Sequence, residues 1–287
     1  MAGLGTASHG VRQNPSMDRY VVIGNPVSHS LSPRIHALFA TELGESLEYS
    51  TLLAPRDGFA PEARRFFEEG GRGANVTLPF KLDALAFASK ASERARLAGA
   101  ANFLMARSGA IEADNTDGAG LVTDLAGNLH VELDGATILL VGAGGAARGV
   151  IAPLLAQRPK RLVLANRSVD KARALAAQFA VYGPIYAVPL DAIPREGFDI
   201  VVNATSTSVR GEALQLPSHV FASPGLAYDM AYGPPALKFL EQARAGGMRA
   251  SDGLGMLVEQ AAESFQLWRG KRPETTPVLE ALRAQLA

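Results

Sequence analysis

The sequence predicts an α/β protein of two units, the second of them a doubly wound, Rossmann-type sheet. Three observations predict it. Short β-branched runs alternate with helix-length amphipathic stretches along most of the chain, as in parallel sheets covered by helices. One such run, Thr137-Ile138-Leu139-Leu140-Val141, passes directly into Gly142-Ala143-Gly144-Gly145-Ala146-Ala147 and then a helix. The alternation breaks at a hairpin-like pair of runs around Ser108-Gly109, and the two units join near the helix that opens at Thr116.

Taken in order, the first 16 residues are polar and rich in Gly and Ser, without the apolar stretch of a secretory signal, so a flexible leader is expected over 1–17. Tyr20-Val21-Val22-Ile23-Gly24 reads as a strand. Ser32 then reads as an N-cap, with Pro33 at the first helical position of a helix toward residue 43. Strands are expected at 47–53 and 74–76, with helices at 61–69 and after Pro79. The hairpin pairs 102–105 with 111–113, and a helix runs from 116 to 128, stopped by Gly127-Asn128. The second unit reads as strands at 137–141, 161–165, 185–188, 199–203 and 226–229, with helices at 146–157, 168–179 and 236–245. Two helices, 255–268 and 277–286, close the chain.

Composition narrows the function. With 287 residues and 47% hydrophobic content the chain can bury an ample core. Twenty-eight basic side chains balance 28 acidic ones, which argues against nucleic acid as a partner. The absence of cysteine excludes disulfides, thiolate metal sites and a cysteine nucleophile. The five histidines, at 9, 29, 36, 130 and 219, have no ligand-like spacing, so no metal is expected. No apolar run nears the roughly 20 residues of a membrane span. A cytoplasmic protein is expected, and its oligomeric state stays open between monomer and homodimer.

The cofactor is the most legible feature. Gly142, Gly144 and Ala147 fit the dinucleotide fingerprint: the first turns tightly, the second lets the backbone approach a pyrophosphate, and the helix N-terminus receives its charge. Ala143, Gly145 and Ala146 complete that loop. An NAD site expects an acid about 20 residues further on, for the ribose 2′-hydroxyl. Here the second strand ends in Asn166-Arg167-Ser168, with Lys171 one turn later. A guanidinium, an ammonium and a hydroxyl suit a 2′-phosphate, so the cofactor is read as NADP rather than NAD. Between 142 and 171 six basic side chains face a single acidic one, a local excess hidden in the neutral total.

Four polar clusters in the first unit lie at expected strand ends or loops, where open α/β sheets bind ligands. They are residues 25–33, 75–81, 99–102 and 114–118. Their hydroxyls and amides suit a polyhydroxylated small molecule. Singly, each has an ordinary structural role available: Ser32 as a cap, Asn75 as a turn residue, Lys81 as a solvated lysine.

Together, and in this order, these segments resemble the shikimate dehydrogenase family over about 18–268. The resemblance is carried by Ser30-Leu31-Ser32-Pro33, Asn75-Val76-Thr77 with Pro79 and Lys81, Asn115-Thr116-Asp117-Gly118 and the glycine loop. It continues through Asn166-Arg167-Ser168, Asn203-Ala204-Thr205-Ser206, Tyr228-Asp229-Met230 and Asp252-Gly253-Leu254-Gly255-Met256-Leu257-Val258 with Gln260. It implies NADPH-dependent reduction of 3-dehydroshikimate to shikimate and its reverse, a step in aromatic amino acid biosynthesis. It further implies Ser30 and Ser32 on the substrate carboxylate, and Asn75, Thr77, Asn102, Asp117 and Gln260 on ring hydroxyls, with Tyr228 nearby. Lys81 and Asp117 match the family's catalytic pair. Gly142 to Ala146, Asn166, Arg167, Ser168 and Lys171 would hold NADP, with Thr205, Gly255 and Met256 toward its nicotinamide end.

By the same resemblance, 18–116 would bind substrate, 117–250 would bind NADP, and 251–287 would return to the substrate unit. The chain departs from the family pattern at Thr207-Ser208-Val209, where Ser-Gly-Leu is usual, at Ala101 and Phe103 beside Asn102, at Lys171 for Arg, and at Leu237 for Thr. Two alternatives are a quinate/shikimate dehydrogenase of dual substrate or cofactor use, and a related binding module without turnover. Arg167→Ala is expected to raise the KM for NADPH far more than that for NADH; equal effects on both would reject 2′-phosphate recognition.

Overall fold

The computed structural model describes residues 17–222 and 224–286, so the expected leader lies outside the described residues except for Met17. Two six-stranded sheets organise them. In the first, β1 (Asp18–Gly24) pairs in parallel with β2 (Leu47–Leu53) on one side and β3 (Gly73–Val76) on the other. Beyond β3 lie β5 (Phe103–Arg107), β6 (Ala110–Asp114) and the short β4 (Lys90–Ala91). β5 is antiparallel to both β3 and β6, so this sheet is mixed where the alternation predicted a largely parallel one. The cause is the turn: Ser108 and Gly109 both take positive φ, 51° and 76°, which closes a two-residue hairpin and needs no crossover.

Helices α1 (Ser32–Leu43), α2 (Phe59–Glu68), α3 (Lys81–Phe87) and α4 (Glu93–Ala98) connect these strands. Ser32 is the first helical residue and not the cap: Leu31 holds the N-cap position, and the Ser30 hydroxyl accepts from the Ser32 amide at 3.2 Å. β4 and α4 have two and six residues, too few for a readable period.

The second sheet is parallel throughout, in the order β12-β11-β10-β7-β8-β9. Its strands are β7 (Thr137–Val141), β8 (Arg161–Asn166), β9 (Ile185–Pro189), β10 (Ile200–Asn203), β11 (Leu226–Asp229) and β12 (Arg249–Asp252). Winding reverses between β7 and β10, the Rossmann order. Alternate residues of the central strands serve two cores. Ile138, Leu140, Leu162 and Val202 face α6 (Gly145–Ala156) and α7 (Val169–Phe179). Leu139, Val141, Val163 and Val201 face the side of α8 (Leu237–Ala245). Burial on both faces explains why these strands read as unbroken apolar runs.

The expected helix at 116–128 is α5 (Asp117–Thr123) continued by a π-helical turn (Asp124–Asn128). Helices α9 (Leu254–Arg269) and α10 (Thr276–Leu286) cover α1, burying Ile35 and Phe39 against Leu254, Val258, Phe265 and Leu282. Helix α5 is clasped between α6 and α9 at backbone distance. A Cβ on Gly118 would collide with the Pro153 ring and stand 2.5 Å from the Gly149 carbonyl. One on Gly120 would stand 2.7 Å from the Gln260 Cβ and 2.8 Å from the Met256 carbonyl.

Gly120→Ala should cost about 1–3 kcal/mol in denaturant unfolding, because the steric cost exceeds the gain of about 1 kcal/mol that Ala brings to a helix. Net stabilisation would refute the contact. A second expectation concerns His36, which is 1% exposed and whose ring nitrogens make no hydrogen bond. Burial pushes it down from 6.5 to about 3. Between these values the unfolded chain takes up a proton that the folded one refuses. Stability from this group is therefore full above 6.5 and declines as pH falls toward 3. His36→Phe should flatten that part of the stability–pH curve, measured by urea unfolding.

Candidate active site

The polar clusters of the first unit converge around Asn102, which precedes β5. Lys81 opens α3 and Asp117 opens α5, and their side chains meet with Nζ 2.5 Å from Oδ2. Both are largely shielded from solvent, with 18% and 7% of the side chains exposed. The other Asp117 oxygen accepts from Asn102 Nδ2 at 2.9 Å. The same amide lies 2.9 Å from Thr116 Oγ1 and 3.2 Å from Gln260 Oε1, while Asn102 Oδ1 accepts from the Thr116 amide at 2.7 Å. Lys81 is thus held charged-group to charged-group by an aspartate that Asn102 orients.

Asn75, in β3, donates to Ser264 Oγ at 2.9 Å and to the Asn102 carbonyl at 3.3 Å, and accepts from the Tyr49 hydroxyl at 2.8 Å. Ser264 stands one turn beyond Gln260 on α9, so one helix face contributes two buried polar groups. Ser30 and Ser32 sit at the start of α1, and Thr77 directly follows β3, its amide bonded to the Ile23 carbonyl at 2.9 Å. The structure therefore joins Lys81, Asn75, Asn102, Asp117 and Gln260 in one network. Thr116, read only as part of the 114–118 cluster, belongs to it too, as do Ser264 and Tyr49, which were missed. The four-residue spacing of Gln260 and Ser264, which sets both on one helix face, was the sequence signal for Ser264.

The dinucleotide groove is built by three strand ends. Val141 lies level with Ala165 on one side and Asn203 on the other, so the loops after β7, β8 and β10 emerge together. Gly142 has φ 120° and passes so near the β10 loop that a Cβ would stand 2.9 Å from the Ala204 carbonyl. α6 begins at Gly145 with Gly144 as its N-cap and no side-chain cap, which leaves first-turn N–H groups for an anion. No atom lies within 4 Å of where a Cβ would stand on Gly144 or Gly145. Ala143 and Ala146, which flank them, are half-buried. Arg167, Ser168 and Lys171 line the junction where β8 meets α7, and Asn166 Nδ2 donates to the Ser168 carbonyl at 2.8 Å. This cradle fits a pyrophosphate, and the cations beside it fit a 2′-phosphate. Thr205 is fixed by its hydroxyl to Asn203 Oδ1 at 2.7 Å. The two sites adjoin, because Gly149 of α6 lies against Asn115 and Asp117.

Three expected residues sit differently from the expectation. Tyr228 is fully buried in β11, donating to Asp124 Oδ2 at 2.6 Å and accepting from the Met256 amide at 3.3 Å. Burial holds its hydroxyl well above the ordinary value and also pushes the Asp124 carboxyl up. The hydroxyl is spent on this link, so Tyr228 does not face the serine segment. Tyr232 does: it packs on the same cluster as Leu31, the residue between Ser30 and Ser32, and its hydroxyl lies near the Leu31 backbone. Met256 is itself 6% exposed and packed in the core, and Gly255 backs onto the Asp124 carboxylate. The Thr207-Ser208-Val209 departure is accommodated by a 3₁₀ turn (Ser208–Arg210) closed by Gly211 at φ 72°. There Ser208 Oγ donates to the buried Asp229 at 2.7 Å.

Among the described residues no group of three or more His, Asp or Glu is placed to hold a metal, and no helix is long and apolar enough to cross a membrane. A half-buried lysine held by a carboxylate, next to a doubly wound sheet with an anion cradle, defines the class: a nicotinamide-dependent oxidoreductase. Family models then match along the chain. Residues 22–104 match the shikimate dehydrogenase substrate binding domain, 124–211 shikimate / quinate 5-dehydrogenase, and 253–283 the shikimate 5'-dehydrogenase C-terminal domain. The shikimate dehydrogenase (NADP(+)) of Aromatoleum aromaticum is 55% identical over 277 residues, covering 94% of this chain and 99% of that one. Among solved structures, an Ael1 enzyme from Pseudomonas putida superposes with TM-score 0.87 at 46% identity, covering 92% and 98%. Shikimate 5-dehydrogenase from Thermus thermophilus, in complex with NADP(H) and shikimate, gives 0.83 at 34%, covering 94% and 100%. The chain belongs to the shikimate dehydrogenase family, and its cofactor is NADP.

Proposed function

We propose that the chain catalyses the reversible NADPH-dependent reduction of 3-dehydroshikimate to shikimate in the cytoplasm. The observation that carries this reading is the Lys81–Asp117 pair at 2.5 Å, oriented by Asn102 beside the helix that receives the cofactor. In this reading 18–116 and the returning 251–287 form the substrate unit, and 117–250 the cofactor unit. Ser30 and Ser32 take the substrate carboxylate, with Tyr232 in the place first given to Tyr228. Asn75, Thr77, Asn102, Asp117 and Gln260 take the ring hydroxyls.

NADPH, when bound along Gly142 to Ala146 with its 2′-phosphate toward Arg167, Ser168 and Lys171, supplies a hydride to the ketone carbon. Thr205, fixed to Asn203 at the end of β10, would border the nicotinamide end of that cofactor. The alkoxide that would otherwise form needs a proton, and the Lys81 ammonium is placed to give it. Asp117 orients the ammonium through their hydrogen bond and accepts from the neighbouring substrate hydroxyl. Thr116 and Gln260 prevent Asn102 from turning its carbonyl toward Asp117, which would repel the carboxylate.

The family model over 124–211 carries quinate as well as shikimate in its description, so dual substrate use is the second reading. Initial rates with shikimate and quinate, each paired with NADP and NAD, separate the readings. Shikimate with NADP is expected to be fastest; comparable quinate rates favour the dual enzyme, and zero rate for all four pairs overturns both. Lys81→Ala is expected to lower turnover by about 10²–10⁴-fold while NADPH binding, followed by fluorescence titration, stays unchanged. Undiminished turnover would defeat the role given to Lys81.

A further inference from the structure

Beneath the serine segment lies a layer of aromatic rings that the chemistry above does not use. Tyr49, from β2, stacks face to face on His36 with centroids 4.2 Å apart and planes within 8°. His36 is clamped in turn by Phe265, nearly parallel at 6.1 Å, by the edge of Phe39 at 6.0 Å, and by Trp268 at 5.4 Å. His36 lies beside the Asn75 side chain, but neither ring nitrogen reaches hydrogen-bond geometry with any partner, so this ring acts through its faces. The result is a phenol with no freedom to swing. Its hydroxyl donates to Asn75 Oδ1 at 2.8 Å, and the Ser32 hydroxyl lies against the phenol oxygen. Burial keeps the phenol protonated, so the donor is permanent.

The donors and acceptors of Asn75 are nearly all taken. An amide has two N–H donors and two lone pairs. Both donors point inward, one to Ser264 Oγ and one to the Asn102 carbonyl. One lone pair is taken by Tyr49. What remains for a ligand is a single acceptor. Rotating the amide by half a turn would press two carbonyl oxygens together at Asn102 and set the Tyr49 donor against an N–H group.

We propose that Tyr49, held by His36, is a positioning residue that fixes the Asn75 amide so that it can only accept a hydrogen bond from the substrate. The position facing Asn75 is thereby selected for a hydroxyl, and a ligand with a ketone or ether oxygen there is refused. This rests on shikimate as the ligand and on Asn75 as one of its contacts.

The test is a cycle of Tyr49→Phe, Asn75→Ala and the double variant, with KM for shikimate, KM for NADP and kcat measured in each, and shikimate affinity measured by calorimetry. Tyr49→Phe keeps the ring and its stacking and removes only the donor. It is expected to raise the KM and Kd for shikimate about five- to tenfold, the usual worth of one such bond. The KM for NADP should not change, and kcat should stay within about twofold, since the loss is in uniform binding. In the Asn75→Ala background the same change should add nothing, because Tyr49 acts through Asn75. A general loosening of the fold would raise the constants equally in both backgrounds. Equal rises in both backgrounds, or an unchanged KM in the single variant, overturn the proposal. If Tyr49→Phe does not fold, His36→Ala, which leaves the phenol but removes the ring stacked on it, must raise the shikimate KM in the same direction; an unchanged value overturns the proposal. Wild-type protein that turns over shikimate while Tyr49→Phe is unaltered refutes only this inference. Wild-type protein inactive on shikimate refutes the functional reading, and this inference with it.

Discussion

The cleft depends on how tightly one short helix is clasped. α5 carries Asp117 at its first residue and hands over to Asp124 at its end, and the two carboxylates face opposite units. Asp117 is tied to Lys81 and Asn102 beside the mixed sheet, and Asp124 to Tyr228 in the parallel sheet. The helix reaches both only because residues 118 and 120 carry no side chain, so that α6 and α9 approach its backbone from either side. With ordinary side chains at these positions the neighbours would stand several ångströms further out. The position of Asp117 is thus set by the close approach that these two glycines allow to the α6 and α9 backbones and to Pro153 and Gln260.

Around that seam nearly every polar group is bound to another. Asn102 spans Asp117, Thr116 and Gln260; Asn75 spans Tyr49, Ser264 and the Asn102 carbonyl. A buried network of this kind is stable only when each member is satisfied. It also leaves few directions in which a ligand can be addressed. The same holds at Asp229, whose burial raises its carboxyl pKa while Ser208, Asn203 and the Ala231 amide bond to it.

Much of the fold is legible in the sequence because its signals are local. The glycine loop, the strand before it and Arg167 after the next strand stand at spacings that chemistry imposes, and they can be read without a partner. Strands buried on both faces announce themselves as apolar runs. What is illegible is long-range. Lys81 and Asp117 lie 36 residues apart, and singly the lysine reads as solvated and the aspartate as one more residue of the 116–128 helix; only their order among other motifs links them. The mixed sheet escapes the alternation pattern because a hairpin cancels the crossover that alternation implies. Tyr228 and Tyr232 share one five-residue segment, and the motif match points to the earlier one as the ligand contact. Yet a residue inside a strand buried on both faces belongs to the core, and the one past the strand's end belongs to the ligand side. That rule needs no structure and favours Tyr232. The neutral net charge likewise conceals the basic stretch between 142 and 171.

The glycine seam has a consequence for adaptation to temperature. Proteins commonly gain thermal resistance by replacing helical glycine with alanine and by filling gaps between helices. Here both routes run through the contacts that place Asp117. A lineage moving to a warmer habitat cannot tighten this junction without shifting the Lys81–Asp117 pair, and one moving to a colder habitat cannot slacken it without the same effect. Thermal tuning is left to the periphery, such as the β9 edge and the outer faces of α2 and α7, where a change in packing does not reach the cleft.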